Sequence, residues 1–172
     1  MMMPEPKRVG DIEVAQNLKH QKLEWKIERV CWVVMAMVVL AALAGLLGHG
    51  PLSRARAGDQ GSILWAEYNR FERYQGPTTI RVHLGPGAGQ AGKARLWVDR
   101  SFIENIELNH IDPEPESVEA AGDRFVYVFL VADATRVTSV TFHFEPNKYG
   151  RMPVRLGLDG GPELSFGQFL YP

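Results

Sequence analysis

The sequence predicts one transmembrane helix followed by an all-β domain of antiparallel strands. Two observations carry that assignment. Val30–Leu47, VCWVVMAMVVLAALAGLL, is eighteen residues without a charge, which as a helix spans about 27 Å, close to the hydrocarbon thickness of a bilayer. From Ile63 onward the pattern changes to short apolar runs separated by Gly, Pro, Asn and Asp, at roughly ten-residue spacing.

Ahead of the span, MMMPEPKRVG is too rich in proline and glycine for regular structure. Asp11 is placed to cap a helix that starts at Ile12, and Ile12–Arg29 holds no Pro or Gly to break it before the span. Val14, Leu18, Trp25 and Trp32 form a narrow apolar stripe, suited to a helix lying among headgroups or to a docking seam. Lys19, Lys22, Lys26 and Arg29 flank the span on one side, and only Arg54 and Arg56 on the other. The excess of positive charge places the N-terminus in the cytoplasm and the C-terminal domain outside it. Trp25 and Trp32 suit the inner interface, and Trp65 the outer one. Ala55-Arg56-Ala57 has the form of a signal-peptidase site, but an eighteen-residue apolar core exceeds the roughly 7–15 of a cleaved signal. An uncleaved anchor is the expectation.

Within the span, Ala41 with Gly45 and Ala44 with Gly48 put small residues four apart on adjoining faces. Such pairs let helix backbones approach closely in lipid, where packing drives association. The expected division is therefore a cytoplasmic arm (1–29), the span (30–47), a glycine-rich tether (48–62) and the β domain (63–172).

In the domain, Thr79–Leu84 and Val137–Glu145 alternate cleanly between apolar and polar side chains. Arg124–Val131, RFVYVFLV, is nearly continuous in apolar residues, as a strand packed on both faces would be. Ile63–Asn69, Ala94–Val98, Ile103–His110, Val154–Leu158 and Leu164–Leu170 complete seven to eight strands, and Gly85–Gly92 is a surface loop. Tyr68–Tyr74, YNRFERY, alternates poorly and fits a helical turn or a bulged edge strand. Strands with one apolar face each close naturally as a two-layer sandwich, which resembles the immunoglobulin and fibronectin type in architecture alone.

Composition narrows the function. Residues 58–172 hold eleven Lys and Arg against fifteen Asp and Glu, so nucleic acid is not an expected partner. Cys31 is the chain's one cysteine, so no disulfide holds the domain, and a bacterial inner-membrane protein with a periplasmic domain is the expected setting. His20, His49, His83, His110 and His143 share no ligand spacing, and the acidic stretch Ser101–Asp123 lacks a calcium-loop pattern. No nucleophile elbow or phosphate loop is present, so neither an enzyme nor a cofactor is expected. Arginine and aromatic residues concentrate instead at Tyr68, Arg70, Phe71, Arg73 and Tyr74, the composition enriched at protein interfaces. These features predict a membrane-anchored interaction module whose partner is another integral membrane protein or a second copy. The alternative is an envelope protein that binds a glycan or peptide.

Overall fold

Alternating side chains dictate most of the C-terminal architecture, because each strand so patterned has one face to bury. The computed structural model describes residues 18–44, 50–131 and 135–172. These fall in two compact units, Met1–Leu40 and Ala41–Pro172.

Helix α1 runs from Leu18 to Leu43. The predicted cap at Asp11 and the stripe residue Val14 lie outside the described residues. Charged side chains occupy the helix up to Arg29, whose guanidinium sits 3.8 Å from the centroid of the Trp25 ring one turn earlier. From Val30 the helix is apolar on every side, and its large side chains are uncovered, from 48% exposed at Val34 to 73% at Leu43. Among the described residues, no helix is long and apolar enough to cross a membrane. The reason is length: the uncharged part described, 30–43, covers about 21 Å. Gly45, Leu46 and Leu47, which complete the predicted span, and Gly48 lie outside the described residues.

The rest is an all-β sandwich of two sheets. The first contains β1 (Arg54–Ala57), β2 (Leu64–Asn69), β4 (Thr78–Leu84), β6 (Ile106–Asp112) and β9 (Thr138–Pro146), in the order β1-β2-β4-β9-β6. The second contains β3 (Phe71–Arg73), β5 (Lys93–Asp99), β7 (Ser117–Ala121), β8 (Arg124–Leu130), β10 (Gly150–Leu158) and β11 (Glu163–Tyr171), in the order β3-β11-β10-β5-β8-β7. All neighbours are antiparallel except β3 and β11. The inner faces meet in a core that includes Leu64, Ile80, Leu96, Phe129, Phe144 and Leu156. Tyr127 packs edge-on against Phe142 at 5.6 Å, and Phe102 against Phe144 at 5.4 Å. Phe102 comes from the one-turn helix α2 (Arg100–Ile103), capped by Asp99, whose carboxylate also accepts from Arg155 at 2.9 Å.

Eleven strands replace the expected seven to eight. The additional ones are short edge strands with little apolar patterning: β1 is RARA inside the predicted tether, and every residue of β7 is exposed. The prediction for β8 fares differently. Val126 and Val128 are buried on its outer face as Tyr127 and Phe129 are on the inner one. Trp97, opposite Val126, lies flat on Gly157 of the neighbouring strand, where a Cβ would come within 2.7 Å of the indole.

YNRFERY turns out to be where the chain changes sheets. After Asn69 it leaves β2, and by Phe71 it is in β3. Arg70 bridges the step with its backbone: its N–H donates to Ser53 O at 2.6 Å, and its C=O accepts from Phe169 N–H at 2.7 Å. Buried polar side chains fasten the same corner. Glu72, 3% exposed, accepts from Asn69 Nδ2 at 2.8 Å and from Thr78 Oγ1 at 2.6 Å. Gln168 donates to Asn69 O at 2.9 Å, and Ser53 Oγ donates to Phe71 O at 3.2 Å.

Glu72→Ala should strand the buried Thr78 hydroxyl and the half-buried Asn69 amide and cost about 3 kcal/mol of unfolding free energy. Glu72→Gln, which keeps an acceptor, should cost less than half as much. Denaturant titration of the two purified variants checks this, and equal losses would show that the corner is not held by the acceptor.

Candidate interaction surfaces

Two exposed surfaces of the sandwich collect side chains suited to binding. The first contains part of the predicted interface. Parallel pairing sets Phe71 beside Phe169 and Arg73 beside Tyr171, and the antiparallel register sets Phe169 beside Arg151. Since Glu72 and Leu170 point into the core, Phe71 and Phe169 face outward, and Phe169 is 51% exposed. Tyr74 follows β3 and meets Tyr149 edge-on at 6.2 Å. Tyr68 departs from the expected patch: it is half-buried on the inner side, stacked on Phe166 at 4.1 Å. Arg70 has an exposed side chain, although its backbone belongs to the sheet crossing. Phe169, Tyr171 and Tyr149 lie far away in sequence, and the one local signal for the first two is that SFGQFLY has apolar residues on both strand faces.

Of the helix-packing candidates, Ala41 and Ala44 are half-buried near the end of α1. Gly45 and Gly48 lie outside the described residues.

The second surface is the outer face of the first sheet. Pairing between β1, β2 and β4 sets Arg56, Glu67 and Arg81 side by side in one row. Arg56 Nη2 meets Glu67 Oε1 at 3.1 Å, and its other terminal nitrogen donates to Gln60 at 3.1 Å. Arg54 shares the face, two residues along β1. Arg54, Arg56, Glu67, Asn69, Thr79 and Arg81 line an open groove of about 640 Å³.

Beside this row lies a stacked pair. Trp65 and His83 are opposite each other on β2 and β4, their rings 3.5 Å apart and 10° from parallel. Trp65 is thus buried in the domain, not free to sit at a membrane interface. His83 Nδ1 lies 2.9 Å from Ser139 Oγ, while Nε2 lies 3.6 Å from Glu67 Oε2. Burial holds the His83 ring below its ordinary value of 6.5, against the attraction of Glu67 and with help from Arg81 and Arg56. The hydrogen bond from Arg56 holds Glu67 below the usual carboxylate range, against partial burial.

The histidines do not converge. His83 pairs with Ser139 across β4 and β9, so it does not meet His143. His143 lies opposite His110 of β6, with ring centroids 6.0 Å apart. Among the described residues, no three His, Cys, Asp or Glu side chains group as a metal site would need. Some of the acidic segment is matched by bases: Glu116 by Lys93 at 2.7 Å and Glu119 by Arg95 at 2.9 Å.

No protein-family model matches the chain, and no curated protein matches it. Among solved structures, the chain is similar to the seventh ScaB type I cohesin from Pseudobacteroides cellulosolvens. They share 11% identity over 59% of this chain and 82% of that one, with a TM-score of 0.33. A likeness that loose carries no argument about what this chain binds.

His83 gives the domain a pH dependence of definite sign. Its folded-state value is depressed, so the unfolded chain takes up the proton more readily, and stability falls as pH drops below 6.5. Between about pH 7.5 and about pH 5.5 the unmodified protein should lose more thermal stability than His83→Gln. Glu67, held down mainly by Arg56 and in smaller part by His83, acts at lower pH, below this window. Parallel losses in the two would remove His83 as the cause.

Proposed function

We propose that the chain is a single-pass protein of a bacterial inner membrane, N-terminus cytoplasmic, that presents the β-sandwich on the outer side as a non-enzymatic interaction module. The observation that carries this reading is the second half of α1. A helix apolar on all sides and uncovered is unfavourable in water, and lipid or another apolar helix relieves the cost. The uncharged sequence runs through Leu47, eighteen residues in all, a length that suits the hydrocarbon layer of a bilayer. Basic residues before Val30 outnumber those just after the span, in keeping with the proposed orientation.

The partner is another integral membrane protein or a second copy. Ala41, Ala44, Gly45 and Gly48 supply small side chains for helix packing. On the sandwich, Phe71 and Phe169 with Arg73 and Tyr74 supply the aromatic and arginine anchors that dominate binding energy at protein interfaces.

A reporter active only outside the cytoplasm should work when fused after Pro172, and a reporter restricted to the cytoplasm should not. The reverse pattern would overturn the orientation. For the surface, Phe71→Ala combined with Phe169→Ala should lower the yield of a co-purified integral membrane protein by about tenfold or more. The amount of the variant in the membrane should not change. Undiminished yield would remove the aromatic row as the interface.

A further inference from the structure

Four arginines of this domain pair with acids among the described residues. Arg56 pairs with Glu67, Arg95 with Glu119 and Asp159, Arg124 with Asp123, and Arg155 with Asp99. Arg54 and Arg81 differ. Neither makes an ion pair or a side-chain hydrogen bond with any described residue, and both open into the groove that Arg56 also lines. Against these three guanidinium groups the groove sets one carboxylate, Glu67, already engaged by Arg56. Two unmatched guanidinium groups of an acidic domain thus share one concave place with a third. Strand geometry sets the scale: neighbouring strands lie about 4.8 Å apart and same-face residues about 7 Å apart along a strand. The stems of Arg54 and Arg56 therefore stand about 7 Å apart and Arg81 about 10 Å from Arg56 across β2, spans over which long arginine side chains reach one phosphate group. Guanidinium forks bind tetrahedral oxyanions through paired, charge-assisted hydrogen bonds, and the exposed Thr79 adds a neutral donor on the same lining.

We propose that this groove holds the phosphate of an anionic phospholipid headgroup. The proposal rests on the anchored reading, because chain length supplies the source of the ligand. Arg54 is seven residues beyond Leu47, the last of the uncharged stretch. Even fully extended, those residues reach about 24 Å, so β1 stays within the neighbourhood of the headgroups. A basic surface confined there meets anionic lipid at high effective concentration. The groove gives the domain a second, lipid-dependent hold on the membrane and restricts which face it offers to a partner.

The test uses the full-length chain in nanodiscs of phosphatidylcholine, with or without phosphatidylglycerol, read by amide hydrogen exchange over β1 and β2. Phosphatidylglycerol should slow exchange there by roughly tenfold. Glycerol phosphate or inorganic phosphate added to neutral discs at millimolar level should not. Arg54→Gln with Arg81→Gln should abolish the slowing, whereas Lys93→Gln with Lys148→Gln, an equal loss of charge elsewhere, should preserve it. No dependence on phosphatidylglycerol, equal protection by the soluble phosphates, or loss of the effect in the Lys93 and Lys148 variant would each overturn the proposal. Flotation with neutral vesicles separates the two readings. A chain that floats but shows no headgroup effect loses the groove proposal alone, and a chain that fails to float loses the anchor as well.

Discussion

The sandwich depends on the tightest of the chain's several crossings between sheets, at Arg70. One residue separates β2, in the first sheet, from β3, in the second, so the two sheets must stand together at that corner. Arg70 satisfies both its backbone groups there, one toward Ser53 and one toward Phe169. Burying such a crossing would be costly if its polar groups were left unpaired. Ser53, Asn69, Glu72, Thr78 and Gln168 meet that requirement, and the apolar core of Leu64, Phe129 and Phe144 fills the space the corner defines.

The outer faces of the two sheets solve different problems. On the second sheet, Trp97 lies over Gly157 and bases are matched with acids, so the apolar outer residues of β8 are covered by the domain's own side chains. At its β3 edge that cover stops: Phe169 is exposed, with Phe71 half-buried beside it. On the first sheet, the Trp65–His83 stack closes one row while the adjacent row pairs Arg56 with Glu67 and leaves Arg81 without an acid of its own. Both uncovered places adjoin segments next to the Arg70 crossing, so the corner that holds the sheets together also sets the spacing between the two surfaces.

Legibility from sequence followed apolar periodicity. Thr79–Leu84, Arg124–Val131 and Val137–Glu145 are strands because their alternation or continuity has only one economical way to be buried. RARA and SVEAA are not legible, since edge strands are held by a neighbour's backbone and need no apolar side chains of their own. Tyr68–Tyr74 was ambiguous for a related reason: inward and outward positions exchange roles where the chain changes sheets, so Tyr68 and Glu72 point inward while Phe71 points out. Of the site residues, Phe71, Arg73 and Tyr74 were local enough to single out. Phe169, Tyr149 and Arg81 join them or the groove only through pairings across the fold, which no spacing along the chain encodes. The helix was legible as an apolar stretch, because Val30 onward carries no charge to face water.

The parallel contact between β3 and β11 carries a consequence for how the domain is made. Phe71 is paired with Phe169, so the edge of the second sheet is completed by a strand synthesised almost a hundred residues later. The contacts that close the Arg70 corner are likewise non-local, through Gln168 and Phe169. Folding that waits on such pairings is slow and cannot proceed in the order of synthesis. The half-made domain keeps its β3 and β10 edges open until the final strand arrives. Assembly is therefore a single late event, and the nascent chain must be kept from pairing with its neighbours until β11 has emerged.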